Sequence, residues 1–479
     1  MAGFAALLTW GLRALGYREA AGVPLRRFLY ALPPAPREIG PAELGVAGLS
    51  AALLVGTTLH HWPTVGRLIA IRCRWAIFGA ATLMTVNAVI ALHAGTRPAD
   101  WLRGAVPFGF LVLLVPITAL MHEARLSVRD LIFSACAASI LFGAAVLGVF
   151  HAERLWEDTW WLYDPEKAEW SRIAAERAIE FADRASRWGP MRVTQFLPRA
   201  TDPLVGTGFA AGCLLFALPV GRSARFVGLS AATVAALAVS ATVTRSYIGA
   251  LIVASLSIVA ILFVGARRSR DWAILRRYLA GSAVVVVIVA AFLSVTGLDA
   301  QIAGRVRQAT TTLAEGVLPP PRIADRSSTN GSVISEAGAA SDENLYARVA
   351  EYRVAWRKFL DAPLLGNGLG TSHVIRYPIG HGEFREERVG YVHNWVLYFL
   401  MTGGVVGLLG YTFVLGGAGL KSLLCSSETA ALGFVTGTIA LLAFYGLFFA
   451  VFRLISFNVL VAMCWAVALA ARRVDRGEH

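Results

Sequence analysis

Apolar stretches of about 18 residues or more return along most of the chain, each close to the length a helix needs to cross a hydrocarbon core. They include Ala76 to His93, Leu131 to Phe150, Tyr247 to Ala266, Tyr278 to Gly297 and Ala431 to Ala450. Runs such as GSAVVVVIVAAFLSV are apolar throughout, and without water only a helix satisfies their backbone groups within the segment itself. Ten-residue segments of alternating polarity, the mark of a membrane barrel, do not occur. The pattern predicts about eleven spans, beginning near residues 43, 76, 104, 131, 204, 225, 246, 278, 393, 428 and 453, with room for a twelfth in the first thirty residues.

Two long polar segments interrupt this rhythm. They divide the chain into N-terminal spans over 1–150, a first loop over 151–203, central spans over 204–297, a large loop over 298–392 and C-terminal spans over 393–479. The first loop mixes aromatics with charges and has a helical centre from Ile173 to Trp188. The second begins with a stretch rich in Pro, Ser, Thr and Gly, GVLPPPRIADRSSTNGSVISEAGAAS, whose burial cannot offset the entropy of ordering it. Beyond it, Ser341 can cap a helix on which Leu345, Val349, Tyr352, Trp356 and Phe359 recur at helical spacing before Pro363 stops it. Such a helix belongs at a membrane surface.

Composition adds weight to the membrane reading. Hydrophobic residues make up 56% of the 479 and charged residues only 16%, more apolar surface than a soluble core of that size can hide. The formal net charge of +13 does not indicate nucleic acid, because the basic residues sit between spans rather than in one stripe. Arg267, Arg268, Arg270, Arg276 and Arg277 in one connection, and Arg472, Arg473 and Arg476 at the C-terminal end, belong on the cytoplasmic side. Counting spans between these anchors puts Arg245 and both long loops on the opposite face. Arg18, Arg26, Arg27 and Arg37 conflict with that count if the first segment spans fully, which leaves the N-terminal topology open. The five cysteines fall in or beside apolar segments with no metal-like spacing, so neither a disulfide framework nor a zinc site is implied.

Ionisable residues near membrane depth carry the chemical interest. Arg245 interrupts an apolar run of about forty residues; it either snorkels to headgroups or clamps an anion with its planar fork of donors. Arg192 and Arg199 stand before a span on the same face, and Arg348 and Arg353 stand on the surface helix. Singly these are ordinary interfacial arginines, whereas convergent ones suit a diphosphate. His393 and Asn394 open a span whose Gly403, Gly404 and Gly407 thin the helix further in. A boundary histidine can be structural, or it can accept a proton from a sugar hydroxyl at neutral pH with Asn394 orienting it or the acceptor. The GNGLG at Gly366 to Gly370 has neither a preceding parallel strand nor a Walker lysine and reads as a turn. No Asp-x-Asp pair flanks a candidate pocket, so metal-dependent use of a nucleotide sugar has no support.

The run from Arg348 to PLLGNGLG, the block HNWVLYFLMTGG beginning at His393, and the arginine-interrupted span pair at Arg245 together resemble the O-antigen ligase and polymerase superfamily. The resemblance extends from roughly Arg192 to Gly410. It implies an all-α, polytopic integral membrane protein of about 12 transmembrane helices with a large periplasmic loop, similar to the C-type glycosyltransferase fold. It further implies transfer of a glycan from undecaprenyl diphosphate to a sugar hydroxyl of lipid A core in lipopolysaccharide biosynthesis, without metal or other cofactor, in a bacterial inner membrane with the active site facing the periplasm. His393 would be the general base. Arg245 and Arg348, with Arg192 or Arg199, would hold the diphosphate, supported by Asn394 and Arg353. This sequence has RATDPLVG where the family often has a glycine and a Pro-Asn pair, so Arg192 and Arg199 remain alternatives.

Polymerisation of repeat units and O-glycosylation of proteins would use the same donor with other acceptors. A transporter or flippase of lipid-linked solutes would also use many spans and arginines, and would be expected to show repeated halves and charges in mid-span, but no repeat is seen and the basic residues gather at one face. A scaffold without chemistry is the remaining alternative.

Overall fold

The computed structural model describes residues 55–123, 127–155, 202–242, 244–296, 298–299, 336–380, 383–425 and 428–470. The helical centre expected at Ile173 to Trp188, Arg192, Arg199, the Pro and Ser rich stretch up to residue 335 and the first thirty residues lie outside these.

The described chain is mostly helical. A short π-helical turn at Trp62–Gly66 leads into α1 (Arg67–His93), followed by α2 (Pro98–Gly104), α3 (Phe110–Glu123), α4 (Val128–Leu155), α5 (Asp202–Ala217), α6 (Arg222–Ala241), α7 (Arg245–Ser269) and α8 (Ala273–Thr296). After the large loop come α9 (Glu336–Asp361), strands β1 (His373–Gly380) and β2 (Glu383–Val389), then α10 (Trp395–Cys425), α11 (Thr429–Tyr445) and α12 (Ile455–Ala470). Among the described residues, four helices are long and apolar enough to cross a membrane: Arg222–Ala241, Arg245–Ser269, Ala273–Thr296 and Trp395–Leu423. The bent pair Pro98–Gly104 and Val106–Ala119 makes a fifth if taken as one span, and shorter apolar helices such as Asp202–Ala217 and Thr429–Tyr445 pack among them. This is a multi-pass membrane architecture.

Local chemistry fixes several helix ends. Ser127 and Asp130 exchange main-chain and side-chain bonds in a capping box before α4, at 2.8 Å and 3.2 Å. At the close of α7, Arg267 and Arg268 complement the helix dipole, and Arg270 turns the chain in the left-handed conformation.

The centre of the bundle is α5, buried along nearly its whole length and packed by α4, α6, α8 and α11. Its approach to α6 is set by two glycines. A Cβ on Gly212 would lie 2.4 Å from the Gly228 carbonyl oxygen, and one on Gly228 would lie 2.7 Å from that of Gly212. Close backbone approach through small residues is how membrane helices gain packing energy where lipid supplies no hydrophobic drive.

Two details depart from the sequence reading. The fold is not wholly helical, because an antiparallel hairpin pairs His373 with Val389 and Pro378 with Phe384 in the segment before His393; strands of eight and seven residues in a charged loop leave no periodicity resembling a span. In addition, α9 begins at Glu336, so Ser341 lies inside the helix and does not cap it. Pro363 does follow the end of α9 at Asp361. On α9 the inward face is made by Glu351 and Ala355, which leaves Val349 and Trp356 of the apolar stripe outward.

Candidate active site

The site forms where α9 meets the start of α10. Asn394 caps α10, its side-chain oxygen accepting from the Leu397 main chain at 3.1 Å. This cap holds His393 just outside the helix. Trp395 anchors the same turn to the end of α11, its main-chain N–H donating to Gly446 and its indole N–H to Ala443.

Glu351, only 3% exposed, reaches His393 from α9. Its carboxylate oxygens lie 3.0 and 3.1 Å from His393 Nδ1, and one also accepts the His393 main-chain N–H at 2.9 Å. An ionised carboxylate only accepts, so the ring proton sits on Nδ1 and the lone pair of Nε2 is left for chemistry. The histidine is 25% exposed at its side chain, which keeps that nitrogen within reach of a ligand. Arg348, one turn before Glu351, pairs with it at 3.7 Å and also lies over the Phe449 ring at 5.8 Å. The Tyr391 ring meets the His393 ring edge-on at 4.9 Å.

Arg245 opens α7 and is half-buried. Two residues further, Tyr247 donates to the Asp202 main-chain oxygen and stacks on Tyr445 at 4.6 Å. Tyr445 in turn donates to the Asp202 carboxylate at 2.9 Å. The starts of α5, α7 and α10 and the end of α11 therefore meet at one end of the bundle, because Gly446, next to Tyr445, is the residue that receives Trp395. Arg245, Arg348 and His393 share that end. Arg353 is exposed on α9.

The loop after α9 and the double glycine of α10 interlock. Gly404 has φ 62° and ψ −161°, a conformation reserved for glycine, and it breaks α10. Into the break the loop inserts its backbone: Asn367 and Gly368 N–H donate to Met401 and Thr402, while Val405 and Val406 N–H donate to Pro363 and Leu364. A Cβ on Gly404 would fall 2.3 Å from the Leu364 carbonyl. Asn87 of α1 locks the joint, donating to Thr402 at 2.8 Å and accepting from Leu369 at 2.7 Å. The GNGLG segment is thus a turn, with Gly366, Gly368 and Gly370 all at positive φ.

Several residues of this end were missed by sequence reasoning. Glu351 gave no signal, being one charge among many on a polar helix. Asp202 lay unremarked in RATDPLVG, and no motif distinguishes Tyr247, Tyr391 or Tyr445. Arg453, a lone arginine inside FFAVFRLISF, did give a visible signal. It is 8% exposed, with its guanidinium 4.7 Å from the Tyr391 ring centroid. Among the described residues no group of three or more His, Cys, Asp or Glu could hold a metal ion.

Apolar helices around a polar cluster at one end of the bundle define a multi-pass membrane protein. Residues 229–412, less than half of the chain, match the family model described as O-Antigen ligase, and to that extent the chain is similar to that family. The match runs from within α6 to within α10, so Arg245, Arg348, Glu351, His393 and Gly404 lie inside it, whereas Asp202, Tyr445 and Arg453 lie outside. No curated protein matches the chain.

Proposed function

We propose that this protein is an O-antigen ligase that transfers a glycan from undecaprenyl diphosphate to a sugar hydroxyl of lipid A core, in the bacterial inner membrane and on its periplasmic face. The observation that carries the reading is the grip of buried Glu351 on both the ring and the main chain of His393. A histidine fixed in one tautomer by a carboxylate is a general base in waiting.

The acceptor hydroxyl loses its proton to His393 Nε2 as its oxygen bonds to the sugar anomeric carbon. The bond from that carbon to the diphosphate oxygen breaks, and the lipid diphosphate leaves with the electron pair. Glu351 stabilises the imidazolium that forms. Arg348 and Arg245 neutralise the growing charge of the leaving group, with Arg192 or Arg199 completing the clamp, and donors aimed at such charge are a large part of catalysis. Asn394 supports His393 through the cap of α10.

Deletion of the gene followed by gel analysis of lipopolysaccharide tests the reading. Loss of the whole ladder above an intact core supports ligation. A single repeat on core would instead indicate polymerisation, and an unchanged profile would overturn transfer to lipopolysaccharide. Complementation with His393→Ala is expected to fail although the variant accumulates in the membrane.

A further inference from the structure

The turn between α11 and α12, a 3-10 segment at Ala450–Arg453, carries a cation that the reaction scheme above leaves unused. Arg453 is 8% exposed, so its head is not snorkelling into water. Its Nε has no hydrogen-bond partner, and among the described residues no carboxylate forms an ion pair with it. The Tyr391 ring at 4.7 Å is its support. A cation–π contact returns only part of what burying an unpaired guanidinium loses. The neighbouring charge of Arg103 is also positive; Arg103 faces Asp100 at 3.9 Å, on a side chain close to half exposed.

Position gives this cation a use. Tyr391, on which Arg453 rests, also touches the His393 ring at 4.9 Å, and Arg348 lies over Phe449, next to the same turn. A buried arginine Nε–H without an acceptor, one ring away from the base, is suited to receive an anion. A structural reading, in which Arg453 merely props Tyr391, accounts for the ring contact but not for a charged fork where an apolar side chain of similar volume would prop as well.

We propose that Arg453 binds the diphosphate of the lipid-linked donor from the α11–α12 side of His393, acting with Arg348 on the leaving group. The assignment rests on the glycan-transfer reading. As the glycosidic carbon–oxygen bond breaks, the departing diphosphate gains a negative charge, and Arg453 supplies a positive one that needs no rearrangement to meet it.

The test is titration of the full-length protein in nanodiscs with farnesyl diphosphate, with farnesol as the uncharged control. Wild type should prefer the diphosphate. Arg453→Gln should weaken diphosphate binding at least tenfold, leave farnesol binding unchanged, and melt no lower than wild type without ligand. Arg453→Lys keeps the charge but not the fork, and should bind with an intermediate loss. If wild type discriminates and Arg453→Gln binds equally well, or melts lower with its affinity intact, the assignment to Arg453 is wrong while the donor class stands. If wild type does not prefer the diphosphate, the glycan-transfer reading falls and the assignment with it. Should Arg453→Gln fail to fold, unchanged affinity in Arg453→Lys overturns the proposal.

Discussion

Glu351 holds His393 at two points, the ring Nδ1 at 3.0 Å and the main-chain N–H at 2.9 Å. The main-chain contact sets where the histidine stands, and the ring contact sets which nitrogen carries the proton. Glu351→Gln keeps the shape but removes the charge that favours the imidazolium. It is expected to lower kcat for glycan transfer by roughly 10²–10⁴-fold with little change in KM for the donor. Steady-state kinetics on the purified variant checks this; a loss confined to KM would show that Glu351 serves binding instead.

The interlock at Gly404 predicts a different failure. Gly404→Ala must leave a glycine-only conformation, at about 1–3 kcal/mol, and its methyl would also collide with the Leu364 backbone. The variant should melt well below wild type in detergent. Gly416→Ala, further along α10 where a Cβ meets open space, should melt close to wild type.

His373, buried on β1 with neither ring nitrogen hydrogen-bonded, should make the hairpin acid-sensitive. Burial, and then the charge of Lys358, pull its pKa down to about 4 from 6.5. The folded state therefore resists protonation that the unfolded state accepts. Stability is fully present above pH 6.5 and is lost as the pH falls from there toward 4, by at most about 3 kcal/mol. His373→Phe should flatten that part of the melting-temperature profile between pH 4.5 and 7.5; an unchanged slope would place the sensitivity elsewhere.

Tyr445→Phe isolates the join between α5, α7 and α11. It removes one bond to the Asp202 carboxylate but keeps the ring stacked on Tyr247. A cost of about 1.5–3 kcal/mol is expected for a bond to a charged group, read as earlier unfolding in detergent. A shift larger than that of Tyr445→Leu would contradict this, since leucine loses the stacking as well.

The membrane helices were legible because their signal is collective. A run such as GSAVVVVIVAAFLSV has one low-energy solution in lipid, and the expected starts near 204, 225, 246, 278, 393, 428 and 453 fall close to those of α5, α6, α7, α8, α10, α11 and α12. The joining of the PLLG and double-glycine motifs was not legible. Gly403 and Gly404 were read as thinning a continuous helix, and nothing in the local sequence says that the loop forty residues earlier supplies the carbonyls and N–H groups for a break. Glu351 was missed for a related reason: an acid on a polar helix is common, and only its burial against His393 distinguishes it. Arg453 was the avoidable omission, since charge inside an apolar run is readable without coordinates.

The four main-chain bonds that tie residues 363–368 to the split in α10 join a segment outside the bundle to a helix within it as one mechanical piece. The split at Gly404 lies nine residues from the start of α10 at Trp395, so one short helical arm connects that loop to the residue next to His393.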